Sequence, residues 1–195
     1  MSLGDIGRWL SLYEPFFESE IEARTFAESF ESLKLGNPLH PAKIMMHQAQ
    51  RLVSFADDLF KIRKNNETLP LLFLLICAEN IAKLSDNFNG EGHSKLHVRN
   101  FLSWFLTPEE QDKLCTNITR NDRRSLYLQE TIDALYEVRC DVVHEGKYRG
   151  FHFHDGGTPM INSEPDVVVS LTLDDFRSLV VKGCIRAIKG YLRHG

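Results

Sequence analysis

Between positions 136 and 148 the chain reads YEVRCDVVHEGKY, which places Arg139 and His144 five residues apart. An imidazole exchanges protons near neutral pH, and a guanidinium holds anions in a planar fork. The spacing poses a choice between a reactive pair and an ordinary charge beside an ordinary helix end. Leu128, Ile132, Leu135 and Val142 form one apolar stripe at helical spacing, and Arg139 fills the gap before Val142. A guanidinium on an apolar seam is costly unless its donors meet an acceptor, or the seam opens onto a cleft or a partner. The alternative is an arginine at the edge of the seam whose head snorkels to water. On a regular helix His144 lies about 140° round from Arg139. The two converge if the helix unwinds near Val143, which the following Gly146 would allow, or if they meet across a two-fold axis. Alone, His144 also reads as a helix C-terminal histidine favoured by the macrodipole.

Glu79 follows the apolar run LPLLFLLICA at 69–78 and lies three and four residues from Ile76 and Leu75. A carboxylate on that face calls for a cation, and Arg139 is the natural one if the two helices are neighbours. A boundary glutamate turned to solvent is the alternative. For Arg139, Glu79 is the first expected acidic partner and Asp141 the second. Other groupings are weaker. His93 and His97 are four apart, but no carboxylate or cysteine at ligand spacing joins them, so no metal site is expected. His152 and His154 read as the solvated face of a ribbon. No Gly-rich phosphate loop and no G-x-S-x-G elbow is present, and no cofactor is expected.

The elements that must position these residues are mostly helical. Aromatic and acidic residues 1–38 predict one or two short helices packed on the main body. A helix follows from Pro41 to the polar RKNNE stretch. The next is capped by Thr68, carries the apolar run and should be the central, most buried helix. LHVRNFLSWFL and PEEQDKL predict two shorter helices, and TRNDRRS a basic connection to the long helix that Gly146 ends. YRGFHFH alternates and DVVVSLTL is β-branched, with DGGTPMINSEP between them as a loop, which predicts a two-stranded ribbon. Thr172 and Asp175 open the last helix as a capping box. The expected fold is all-α: a helical bundle with a small antiparallel β-hairpin inserted before the last helix. We expect a single domain over 1–195, with 1–38 an extension and 39–195 the helical core.

The totals agree with an ordinary globular chain. Of 195 residues, 43% are apolar and 26% charged, and the net charge of −4 gives no general affinity for nucleic acid. Any such binding must come from a local basic patch. Cys77 and Cys184 sit in apolar surroundings, which suits reduced core thiols. The opening MSLGDIGRWLSLYEP lacks a basic region and an uninterrupted apolar run, and the 69–78 run is short for a bilayer. A cytoplasmic protein without a membrane segment is expected.

Taken together, the buried helix with Glu79, the long helix carrying RCDVVH, the ribbon and the last helix opening LTLDDF resemble the HEPN superfamily, most of all its Apea-like branch. The similarity covers roughly residues 41–193. It implies a helical homodimer in which two R-x-x-x-x-H motifs share a cleft, and a metal-independent RNase or RNA-binding protein of a toxin, antitoxin-controlled or defence-type system. Carried over to this chain, His144 would move the proton and Arg139 would stabilise charge on the phosphoryl oxygens, with the RNA 2′-hydroxyl as nucleophile. Glu79 and Asp141 would support them. Lys147 and Arg149 would add positive charge where a phosphate sits. The sequence departs from the pattern at Cys140, where active members usually carry a polar residue. The alternative is a non-catalytic dimerisation module that binds a nucleotide or a partner protein.

Overall fold

The computed structural model describes residues 3–32, 40–63, 66–148 and 150–194. Among them the chain forms α1 (Leu3–Tyr13), a 3₁₀ turn (Glu14–Phe16), α2 (Glu20–Ser32), α3 (Pro41–Ile62), α4 (Thr68–Ser85), α5 (Ser94–Trp104) and α6 (Pro108–Asn117). Then come β1 (Ile118–Arg120), α7 (Leu128–Glu145), β2 (Met160–Ser163), β3 (Asp166–Val169) and α8 (Leu173–His194). The protein is an all-α helical bundle with a small antiparallel sheet, and a hairpin precedes the last helix as expected.

α4 is the centre because it is apolar on nearly every side. Leu71, Leu74, Leu75, Ala78 and Ile81 are buried along it, and α3, α5, α7 and α8 all pack against it. The helix runs past the 69–78 run to Ser85 and is long and apolar enough to cross a membrane, but more than half of it is buried inside this bundle. The Cys77 and Cys184 thiols meet at 3.7 Å between α4 and α8. The N-terminal helices share the same core. Trp9, Leu12 and Tyr13 of α1 and Phe26 of α2 belong to it, and the Tyr13 hydroxyl donates to the Met46 carbonyl at 3.3 Å. The expected boundary near residue 38 lies outside the described residues.

The helix ends follow local chemistry. Thr107 and Glu110 close a capping box at the start of α6, and Thr172 and Asp175 do the same for α8. Thr68 does not cap α4. It is the first helical residue, Glu67 stands ahead of it, and the Thr68 hydroxyl donates to the Phe151 carbonyl at 3.2 Å. α7 stays helical through Glu145 and ends on Gly146, whose φ of 65° is the left-handed conformation glycine allows without strain.

The ribbon differs from expectation in the position of its first strand and in strand count. The first hairpin strand is Met160–Ser163, inside the stretch expected to be a loop, and Glu164–Pro165 makes the turn to β3. β1 adds to the other edge of β3, with Ile118 opposite Val169, so β3 is central in a three-stranded sheet. Phe151 and Phe153 do alternate inward, but the segment 151–154 is extended without being a strand. Side chains satisfy much of its backbone, and the His154 N–H donates to the Leu171 carbonyl at 2.9 Å. Asn162, 1% exposed, accepts from the His152 N–H at 2.7 Å and donates to the His152 carbonyl at 3.0 Å. A Glu67 carboxylate oxygen accepts from the Phe153 N–H at 2.7 Å.

Candidate functional site

α4, α5 and α7 bring the central group of charges together. Glu79, in the second half of α4, keeps only 8% of its side chain exposed. Its Oε2 accepts from Arg139 Nη2 of α7 at 3.3 Å. Its Oε1 accepts from Lys83 Nζ at 2.6 Å and from the hydroxyl of Ser94, the first residue of α5, at 2.7 Å. Lys83 follows Glu79 by four residues on the same helix, a pairing that helical spacing favours. Burial alone would push the Glu79 carboxyl up. The hydrogen bonds from Lys83 and Ser94 and the charges of Lys83 and Arg139 outweigh it and hold the group below the usual carboxylate range.

Arg139 is therefore an inward-facing residue with 16% of its side chain exposed. Its guanidinium lies over the Tyr136 ring, 5.1 Å from the centroid, and its Nε is buried with no hydrogen-bond partner. Alongside, Asp133 of α7 meets Lys95 at 3.0 Å and Arg99 at 3.8 Å, both from α5. This ion-paired set places four cations (Lys83, Lys95, Arg99 and Arg139) against two carboxylates (Glu79 and Asp133). It carries a positive excess within a chain whose total charge is −4. His97 sits beside it, buried and stacked near Phe88 at 4.6 Å, with neither ring nitrogen bonded. Burial and the nearby Lys83 lower its pKa.

His144 is not part of this group. Because α7 keeps its winding through Glu145, the unwinding near Val143 that would bring the two together within one chain does not occur, and Arg139 and His144 occupy different sides of the helix. His144 is exposed, and among the described residues no hydrogen bond or ion pair holds its ring. Asp141, expected as a second partner for Arg139, instead serves the helix end. Its carbonyl accepts the N–H groups of Gly146 and Lys147, and no ion pair among the described residues joins its carboxylate to Arg139. Lys147 is not a free cation either. Glu145 at 2.7 Å and Glu164 at 3.4 Å hold it, and their hydrogen bonds and charges push its pKa up to about 12. Arg149 lies outside the described residues.

Among the described residues, no three His, Cys, Asp or Glu side chains converge as metal ligands would. His93 is exposed at the start of α5, while His97 turns into the core. The sequence reading missed two members of the Glu79 cluster. Lys83 was legible from its spacing of four, whereas Ser94 reaches Glu79 through a turn between helices that leaves no sequence signal. Compared with protein-family models, with curated proteins and with solved structures, the chain matches none of them.

Proposed function

We propose that the protein is a HEPN-like, metal-independent ribonuclease that works as a homodimer, of the kind used in toxin or defence systems under an antitoxin or other protein partner. One arrangement carries this reading. α7 fixes Arg139 on Glu79 within a cation-rich cluster and presents His144, five residues on, to solvent, with no partner among the described residues. Transesterification of RNA needs a base to take the proton of the 2′-hydroxyl and an acid to protonate the leaving 5′-oxygen. Each chain offers one motif histidine, so the two roles require the His144 of both subunits. The neutral imidazole accepts the 2′-hydroxyl proton as that oxygen attacks phosphorus. The protonated imidazole of the second subunit gives its proton to the departing oxygen, leaving a 2′,3′-cyclic phosphate and a free 5′-hydroxyl. Arg139 and its cationic neighbours supply the positive field that favours the doubly charged phosphorane.

The test is cleavage of a mixed single-stranded RNA pool in excess EDTA. Wild type should cut RNA and spare DNA, which lacks the attacking hydroxyl. His144→Ala should cut about 100-fold more slowly with an unchanged melting curve, since the ring is exposed at a helix end. Cleavage that is negligible and equal in both proteins would overturn the enzymatic reading.

A second reading has its own support. Arg139 is neutralised by Glu79, and Lys147 by Glu145 and Glu164. With those cations engaged and Cys140 beside the arginine, the same surface suits a non-catalytic dimerisation or binding module. RNA binding without cleavage would favour that module.

A further inference from the structure

At the opposite end of α4 from Glu79 lies a cleft of about 610 Å³, bounded by the C-terminal half of α3, the start of α4, the 154–156 segment and the start of α8. Glu67 and Glu79 are twelve residues apart, about 18 Å along a helix, so this is not the Arg139 cluster. Small-molecule sites are typically apolar clefts of about 300–1,000 Å³ with a few convergent polar groups. The floor here is apolar, with Leu74 and Leu173 buried, Pro70 beside them and Phe60 38% exposed.

The polar groups are unbalanced in a specific way. Arg177 is spent on Asp57, donating through Nε at 2.6 Å and Nη2 at 2.9 Å. Lys61 is paired with Asp58 at 3.2 Å. Among the described residues, no lysine or arginine forms an ion pair with the other lining carboxylates, Glu67, Asp155 and Asp174, and Glu67 has only His152, whose Nδ1 lies 4.0 Å from its Oε2. The lining carries four carboxylates (Asp57, Glu67, Asp155 and Asp174) against two cations (Lys61 and Arg177), an excess of two negative charges. Glu67 is the deepest of the three, with 14% of its side chain exposed. Its Oε2 takes the Phe153 N–H, while Oε1 has no hydrogen-bond partner among the described residues. His154 adds a further acceptor. Its Nδ1 lies 3.0 Å from the Thr158 carbonyl, which can only accept, so in the neutral ring the proton sits on Nδ1 and a lone pair is left on Nε2. An apolar floor ringed by more carboxylates than cations, with Lys61 and Arg177 already engaged, selects a ligand that brings donors, positive charge and an apolar body.

We infer that this cleft is a binding site for a small organic cation, an ammonium or guanidinium joined to an apolar group, with Glu67 receiving the charged end and Phe60 and Leu74 the apolar end. The site is independent of the ribonuclease reading. Three probes of one shape test it on the full chain by calorimetry and amide shift mapping: 4-phenylbutylammonium, 4-phenylbutan-1-ol and 4-phenylbutanoate. The ammonium should saturate at millimolar concentration and shift amides of the 154–156 and 172–174 segments. The alcohol should bind about tenfold more weakly, the loss expected for a charge-assisted hydrogen bond, and the carboxylate should not bind. Glu67→Gln keeps an acceptor for the Phe153 N–H and should weaken the ammonium about tenfold. Asp174→Asn, at an exposed position, should weaken it several-fold and covers the case in which the Glu67 variant fails to fold. Equal affinity for the three probes, no saturation by the ammonium, or full ammonium affinity in either folded variant would overturn the assignment.

Discussion

At Glu79 three donors converge on a carboxylate that burial alone would drive towards its neutral form. The cluster is built so that no one donor is indispensable. Arg139→Ala leaves Lys83 and Ser94 in place, and the expected loss is about 1 kcal/mol, the value of one hydrogen bond. Glu79→Ala strands two half-buried cations instead, and about 3 kcal/mol is expected. Urea denaturation of both single variants and the double variant measures the coupling. Equal losses in the two single variants would contradict this ordering. The same group ties stability to pH. Its folded pKa is depressed, so its contribution is fully present above the ordinary carboxylate pKa and is lost as pH falls through the lower folded value. The stability difference between wild type and Glu79→Gln should therefore be constant near neutrality and shrink on acidification below about pH 4. A difference that holds constant to pH 3 would show that Glu79 does not titrate as described.

At the scale of elements, the helices were largely legible and the sheet was not. Periodicity and caps located α3 through α8 because each signal is local: a proline at Pro41, a capping box at Thr172–Asp175, a glycine stop at Gly146. The gap in the α7 stripe pointed to the Arg139–Glu79 pair for the same reason, since both residues interrupt otherwise apolar faces. The ribbon was misplaced because FHFH alternates like a strand, yet its backbone is held mostly by the Asn162 and Glu67 side chains, with one backbone bond from His154 to Leu171, rather than by a ladder. Such side-chain pairings span long loops and leave no period. The fate of His144 turned on whether α7 unwound before Gly146, a matter of packing that residue types do not encode. The role of Asn162 is testable. Asn162→Ala would leave the His152 N–H and carbonyl without their partner and should cost about 1–3 kcal/mol. A loss below about 0.5 kcal/mol, within the range of neutral surface changes, would mean that water replaces it at no cost.

For the whole molecule, each chain presents one exposed motif histidine, with Arg139 on another side of α7, so in the proposed reading one chain does not supply both an acid and a base. The proposed chemistry therefore depends on two subunits, each contributing an exposed His144, with a two-fold axis near the motif helix. That dependence makes subunit mixing the most direct measurement. Wild-type chain is co-refolded with increasing His144→Ala chain, and the rate of RNA cleavage in EDTA is followed per wild-type chain. If both histidines serve one site, a mixed dimer is inactive, and a tenfold excess of variant should lower the rate about tenfold by statistical pairing. A rate per wild-type chain that stays constant across the whole titration would contradict the shared site.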